Sequence, residues 1–418
     1  MPLVFGGIAD DLTGALELAS LMVREGVRCR VLTGPAGPDA LDGLDSVVFG
    51  LKTRVAQPHR AVAQFAAAVS LLQQAGARQV FFKYCATFDS TRRGNIGPCA
   101  DLLMSRTGAG FTAFCPAFPE VHRTVYQGHL FAADKLISQS AKRFDPLTPM
   151  REPDLVKVLQ QQTVERVGLL PHHVLHAGTA AADAHVAALR DSGTRYAIAD
   201  AVDEDDLRRL AELTVDWPLM TGGSSVAVYY PELWRRRGWI ASAPSQIELP
   251  MPDSAGAVLA GSCAERTFEQ LDHFGARHPV LRLDLADAAD GRDLAARALA
   301  WAVERLNAGP IAIATSARPD AVAALQKRIG KRRAAALGES VLGRIAAGLH
   351  DRGVRRFVIA GGETSGAVLK SLGALVLEVD RFQAPGLSRA VTAGPDPVSL
   401  HLKSGKLGPV DMFETALA

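Results

Sequence analysis

The chain has 418 residues, too many for one ordinary hydrophobic core, so two domains are the first expectation. Hydrophobic residues make up 48% and charged residues 22%, ordinary values for a soluble globular protein. A formal net charge of +2 excludes the strong bias that would point to nucleic acid or a membrane surface as partner. The five cysteines are odd in number and form no Cys-x-x-Cys pair, which argues against a disulfide framework or zinc site and fits a reducing cytoplasm. The N-terminus lacks the charged region of a signal peptide, and no uninterrupted apolar run reaches the roughly 18 residues of a membrane span.

Short apolar runs alternate with longer amphipathic ones. LVFGGIA predicts a buried strand, and Leu12 to Glu25 sets apolar residues at helical spacing. Strands RCRVLTG and SVVFGLK follow, then helix HRAVAQFAAAVSLLQQAG, strand QVFFKY and strand FTAFCPA. RYAIADA, helix EDDLRRLAELT and PLMTGGSS continue the pattern. Prolines, serines and glycines interrupt it at 242–256, which predicts a boundary with domains at 1–245 and 246–418. It then restarts with AVLAG, ERTFEQLDHFG, PVLRLDL, LAARALAWAVERL and PIAIATS. A long helical stretch to Arg352, strand RRFVIAGG, a helix from about Thr364 and strand ALVLEVD complete it. The fold class is α/β, with two domains, each a mostly parallel sheet flanked by helices. Such sheets bind ligands at the carboxyl ends of their strands, so the active site is expected in an interdomain cleft.

Four segments stand directly after strands. In GIADDLTGA, one of Asp10 and Asp11 suffices to cap the helix that Thr13 and Gly14 open. The other is open to binding substrate hydroxyls or accepting a proton. In GLKTR, Lys52 and Arg54 are read as closing a strand and pointing the same way, either as two surface cations or as a grip for a carboxylate. KYCATFDSTRRGNIGP brings together Lys83, Asp89, Ser90 and Asn95, with Gly94 and Gly97 permitting tight turns. That mixture suits a small polyhydroxy acid, and Arg123, Thr124 and Tyr126 could complete the pocket. Last, IAGGETSGA puts Gly361 and Gly362 before a helix, either as a simple turn or as bare amides for a phosphate. Ser262 in LAGSCAERT and Gly405 in LKSGKLG add two further strand-end turns of the kind a nucleotide site uses. Neither a P-loop nor a Rossmann glycine fingerprint occurs. The basic run from Lys327 to Arg333 is read as a solvated face.

Taken together and in order along nearly the whole chain, GIADDLTGA, LKTR, KYCATFDSTRRGNIGP, RTVYQGHLF, PLTPM, TGGSS, GSCAERT, IAGGETSGAV and LKSGKLG resemble the four-carbon acid sugar kinase family. The form of the KYC segment is most similar to the 3-oxo-tetronate 4-kinases. The resemblance implies an N-terminal domain for the acid, a C-terminal domain for ATP, and γ-phosphoryl transfer to the terminal hydroxyl. Carried over residue by residue, Ser262, Gly361, Gly362, Glu363, Thr364 and Gly405 would contact ATP. Asp10, Arg54, Lys83, Asp89 and Ser90 would line the acid site, with Asp11, Thr13, Lys52, Asn95 and Arg123 beside them. The chain departs from the family pattern at Ala86, His122 and Lys406, in RFDPLTPM and in PGLSRAV.

Phosphoryl transfer asks mainly for positioning and charge neutralisation. Mg²⁺ is expected on the ATP phosphates, since the chain offers carboxylates and not thiolate or histidine clusters; its ligands stay unassigned. Asp10, then Asp89, is the expected base, with Lys83 as a nearby cation. A threonate or erythronate 4-kinase and a non-catalytic sugar-acid-binding regulator are the alternatives. No nucleic-acid or membrane partner is expected, and a homodimer stays open.

Overall fold

The computed structural model describes residues 2–34, 37–145, 147–241, 249–384 and 386–417. The chain divides into two compact units, Met1–Gln246 and Ile247–Ala418. The boundary expected at 245/246 falls within 242–248, outside the described residues.

In the first unit the strands are β1 (Phe5–Ala9), β2 (Cys29–Leu32), β3 (Ser46–Gly50), β4 (Gln79–Lys83), β5 (Thr112–Cys115), β6 (Arg123–Tyr126), β7 (His129–Ala132), β8 (Lys135–Leu136), β9 (Arg166–Leu170), β10 (Thr194–Ala199) and β11 (Leu219–Gly222). Eight of them form a sheet in the order β2-β3-β1-β4-β11-β5-β10-β9, parallel throughout. β1, β3 and β4 are buried at every position, which is why they read as continuous apolar runs without alternation. Gly6 in β1 is forced by close packing: a Cβ there would stand 2.5 Å from Leu72 of the helix Pro58–Gln74. Phe5 and Phe81, with centroids 5.4 Å apart, and Phe65 edge-on to Phe82 fill the space between sheet and helices. The sequence reading did not anticipate the antiparallel sheet β6-β7-β8. Its strands are two to four residues long and only partly buried, so they lack the apolar signature of the main sheet.

The second unit holds β12 (Gly256–Ala260), β13 (Val280–Arg282), β14 (Ile311–Ala314), β15 (Arg356–Ala360), β16 (Val376–Val379), β17 (Leu387–Thr392) and β18 (Ser399–Lys403). They run in the order β13-β14-β12-β15-β18-β17-β16. The first five are parallel, whereas β17 pairs antiparallel with β18 and with β16. Val258, Ala312 and Val358 from the central strands meet Leu271, Phe274 and Phe413 in a fully buried cluster. The expected long helical stretch is two helices, Pro319–Ile329 and Lys331–His350. Gly330, at φ +86°, separates them in a conformation that favours glycine. Among the described residues no helix is long and apolar enough to cross a membrane.

Candidate functional site

In the first unit the chain leaves β1 into a knot of charge. Asp11 is the N-cap of the helix Leu12–Arg24, its Oδ1 accepting the Gly14 amide at 2.8 Å, so the capping duty falls on the second aspartate. Asp10 is buried, and Arg54 grips it with two hydrogen bonds, Nη2 to Oδ1 at 2.7 Å and Nε to Oδ2 at 3.0 Å. The remaining Nη1 of Arg54 reaches Asp11 Oδ2 at 2.9 Å. Burial pushes the Asp10 carboxyl up, and Arg54 offsets this only in part. Burial also acts on Asp11, but Arg54, Lys83 and the Gly14 amide hold it below the ordinary carboxylate value.

Lys83 closes β4 as expected. It is 4% exposed, donates to the Tyr84 carbonyl at 3.0 Å and lies 3.9 Å from Glu17. Its carbonyl accepts the Asp10 amide at 3.0 Å, which fixes the ends of β1 and β4 side by side. A Cβ on Gly14 would come within 3.0 Å of the Lys83 ammonium, so the glycine keeps this space open.

Phe88, at φ +50° and fully buried, bends the segment immediately before Asp89. An aromatic residue in that region is strained, and here the strain accompanies a buried carboxylate. Asp89 Oδ1 accepts from Thr87 Oγ1 at 2.6 Å, and Oδ2 accepts from Lys142 at 2.7 Å. Ser90 Oγ accepts from Gln162 at 2.9 Å. Asn95 Nδ2 donates to the carbonyls of Thr53 at 2.6 Å and Ala56 at 2.9 Å and so ties down the loop that carries Arg54. Its Oδ1 is buried and accepts no hydrogen bond among the described residues. Asp10, Arg54, Asp89, Ser90 and Asn95 line one cavity of about 10 Å³, floored by Phe65 and Phe82.

Several expectations change. β3 ends at Gly50, so Lys52 and Arg54 lie on the loop beyond it and strand alternation does not govern them. Lys52 is exposed and Thr13 half-buried, and neither lines the cavity. Arg123 stands on β6, donates to the carbonyls of Val121 and His122 at 3.0 and 3.1 Å, and is not among the residues that line this cavity. Gly94 closes a turn as expected, its amide donating to the Thr91 carbonyl at 2.7 Å, whereas Gly97 lies in the first turn of the helix Ile96–Thr107; neither has a left-handed φ, and both also serve close approach. A Cβ on Gly94 would meet Ser90 Oγ at 1.8 Å, and one on Gly97 would meet Gln162 Cβ at 2.6 Å.

Sequence reasoning missed Glu17, Lys142 and Gln162, which reach the cluster from distant elements. It also excluded histidine clusters, yet His172, His176 and Asp206 bring ligand-capable atoms within 4.8 Å of one another. The His-x-x-x-His spacing was the available signal. His172 Nδ1 lies 3.0 Å from Asp206 Oδ2, which also accepts the Val202 amide, so the group braces its two helices.

In the second unit three turns converge at the carboxyl ends of β12, β15 and β18. The helix after β15 begins at Gly362, two residues earlier than expected, with Gly361 as its N-cap at φ +123°. Its opening amides therefore belong to Gly362, Glu363 and Thr364. A Cβ on Gly261 would stand 2.2 Å from Thr364 Oγ1, and one on Gly405 would stand 1.9 Å from Ser262 Oγ. The Gly361 amide donates to the Lys403 carbonyl at 3.0 Å. Ser262, Gly361, Thr364 and Gly405 are thus brought together, with the Ser262 and Thr364 side chains filling the space that the glycines leave between the turns. Beside them opens a mostly apolar cavity of about 440 Å³, which Gly261, Asp284, Leu285, Val322, Leu325, Glu339, Leu342, Glu363 and Thr364 help to line. Glycine turns can be read from a sequence, but the apolar walls come from helices whose pattern resembles any core face. In the basic run, Lys327, Arg328 and Lys331 to Arg333 are exposed, with Arg328 at the cavity and paired with Asp290.

A unit carrying a carboxylate–guanidinium cluster joined to a unit built around bare glycine turns defines the class of a sugar-binding, nucleotide-binding protein. Family models agree: residues 5–230 match a sugar-binding N-terminal domain and residues 257–413 a nucleotide-binding C-terminal domain. The chain belongs to the 3-oxo-tetronate kinase family. It is 44% identical over 414 residues to the 3-oxo-tetronate kinase of Burkholderia multivorans, covering 99% of this chain and 96% of that one. It is 38% identical over 372 residues to the enzyme of that name from Escherichia coli, covering 88% and 95%. Among solved structures, one from Salmonella typhimurium LT2, described there as a candidate tRNA synthase, superposes with TM-score 0.86 at 36% identity and 99% coverage of this chain. Haemophilus influenzae protein HI1011 superposes with TM-score 0.80 at 33% identity and 98% coverage.

Proposed function

We propose that this chain is an ATP-dependent kinase that phosphorylates the C4 hydroxyl of 3-oxo-tetronate to give 3-oxo-4-phosphotetronate. Residues 1–245 hold the acid and residues 246–418 hold the nucleotide. The observation that carries the reading is the convergence of the Ser262, Gly361–Thr364 and Gly405 turns at one sheet edge, in a chain related end to end to kinases of that acid. The free acceptor on Asn95 supports the acid site, since a substrate hydroxyl would satisfy a buried oxygen that otherwise costs about 1–3 kcal/mol.

A cavity of about 10 Å³ admits little more than a water, so the acid enters by displacing what lines it. Its carboxylate is the natural competitor for the Arg54 fork and would release Asp10 oxygens now held in the ion pair. Asp10, with its carboxyl raised by burial, then takes the proton of the C4 hydroxyl. The hydroxyl oxygen forms the new bond to the γ-phosphorus as the bond to the β-phosphate oxygen breaks, and ADP leaves with that electron pair. Lys83 is the fixed cation beside this carboxylate pair.

Mg²⁺ asks for hard oxygen donors, and Asp284, Glu339 and Glu363 supply carboxylates on the same cavity as Thr364, so the donor set fits. Glu363 and Asp284 would hold the ion, which when bound neutralises phosphate charge. A cytoplasmic setting, where ATP is available, agrees with five free thiols.

An ADP-release assay across 3-oxo-tetronate, threonate and erythronate tests the substrate, and turnover confined to the last two would overturn it. Asp10→Asn is expected to lower kcat by about 100-fold or more while ADP affinity stays constant. Unchanged turnover would remove Asp10 from the role of base.

A further inference from the structure

Lys403 closes β18 and is 1% exposed. Its ammonium donates to Gln270 Oε1 at 2.6 Å, Thr267 Oγ1 at 3.3 Å and the Gly405 carbonyl at 3.3 Å, and it sits 5.7 Å from the centroid of the Phe413 ring. All three acceptors are neutral. The charged groups on the elements around it offer no compensation. Arg266, on the helix Glu265–Gly275, is a like charge that acts on it directly. Lys406, in the adjoining turn, is exposed and also positive. Glu414, next to Phe413, is engaged by Arg277 at 2.8 Å, and Glu269 by Arg266 at 2.8 Å. Hydrogen bonds to neutral oxygens offset only part of the desolvation cost of a buried ammonium, and none of these neighbours supplies an opposite charge.

The same residue is wired into two of the three turns. Its carbonyl accepts the Gly361 amide, and its ammonium holds the Gly405 carbonyl, which Thr267 Oγ1 also reaches at 2.9 Å.

We propose that Lys403 is a positioning residue of the nucleotide site, the buried counter-charge whose anionic partner arrives as the phosphates of ATP or ADP, acting through the Gly361 and Gly405 turns it holds. The proposal rests on the nucleotide reading of this unit. Burial, with Arg266 adding to it, lowers the Lys403 ammonium to about 8, so the ligand-free chain carries it partly neutral near that pH. Phosphates nearby restore the charged form, and nucleotide binding then draws a proton from solution.

Titration calorimetry of ADP into the full chain at pH 8, in buffers of different ionisation enthalpy, reads that proton. Uptake of about half a proton per ADP is expected, falling away toward pH 6.5, where the lysine is already charged. Lys403→Met keeps the stem over Phe413 and removes the charge; it is expected to abolish the uptake and weaken ADP by about 30-fold. Undiminished uptake in a folded Lys403→Met would overturn the proposal. Should that variant not fold, the native chain decides: ADP binding without proton uptake near pH 8 rejects the role of Lys403 and leaves the nucleotide site standing. Absence of ADP binding to the native chain rejects the nucleotide reading itself.

Discussion

Arg54→Ala is expected to destabilise the first unit by about 3–5 kcal/mol, because it strands the Asp10 carboxylate in a buried site without its counter-ion. Arg54 is itself 21% exposed, so the lower end of that range is the better expectation. The pH dependence has a definite sign. With the folded Asp10 already above the ordinary 3.8, removing the cation raises it further, and the folded state then binds the extra proton. The variant should be most stable in mild acid and lose stability as pH rises from about 4 through the new folded value. Denaturant unfolding at pH 5 and pH 8 checks this, and a variant more stable at pH 8 would contradict it. Arg54→Ala, Asp10→Asn should recover part of the loss, since the pair is coupled through direct contact. Activity should fall further than stability implies. If Arg54 binds the carboxylate of the acid, its loss raises KM for the acid by about 100-fold while leaving KM for ATP nearly constant.

The second large effect belongs to Gly405→Ala. Gly405 does not need a left-handed backbone, so the substitution acts through volume alone. The new methyl would meet Ser262 Oγ at 1.9 Å and Ser262 Cβ at 2.8 Å. Rotating the hydroxyl relieves the first contact but not the second, so one turn must move by about an ångström. A displacement of that size costs on the order of 100-fold in a positioned reaction, and ADP affinity should drop with it. Gly405→Ala combined with Ser262→Gly removes both contacts. Thermal stability is then expected to return, with affinity short of the native value by whatever the serine contributes. An unchanged ADP dissociation constant in Gly405→Ala would show that this turn does not face the nucleotide.

Much of this was legible before any coordinates. Helices Glu204–Thr214 and Glu265–Gly275 lie where the pattern put them, because Asp203 caps the first and strongly amphipathic spacing defines both. β1, β4, β12 and β15 were recognisable as apolar runs ended by polar or glycine residues. Asp10, Arg54, Asp89, Ser90 and Asn95 were all marked, and they share one cavity. What escaped depends on contacts far apart along the chain. Lys142 pairs with Asp89 across 53 positions and Gln162 bonds Ser90 across 72, and neither residue stands in a distinctive local pattern. Short half-buried strands such as β6 and β7 gave no period to detect, so the strand that carries Arg123 was not seen. Gly94 does close a turn with Thr91, but the steric room that it and Gly97 leave appears only once Ser90 and Gln162 are in place.

The three glycine turns of the second unit come from strands that the chain lays down far apart in time. Thr267 and Gly405, joined by a hydrogen bond, are separated by 138 positions, and β18 is the last strand to be synthesised. Closing so long a loop is entropically slow, so the ligand-ready state belongs to the finished chain and not to any nascent fragment. A ligand that bridges those turns acts as a clasp on the C-terminal segment. Amides in β12 and β18 should therefore gain hydrogen-exchange protection together when ADP is added, although little else in the sheet needs to change.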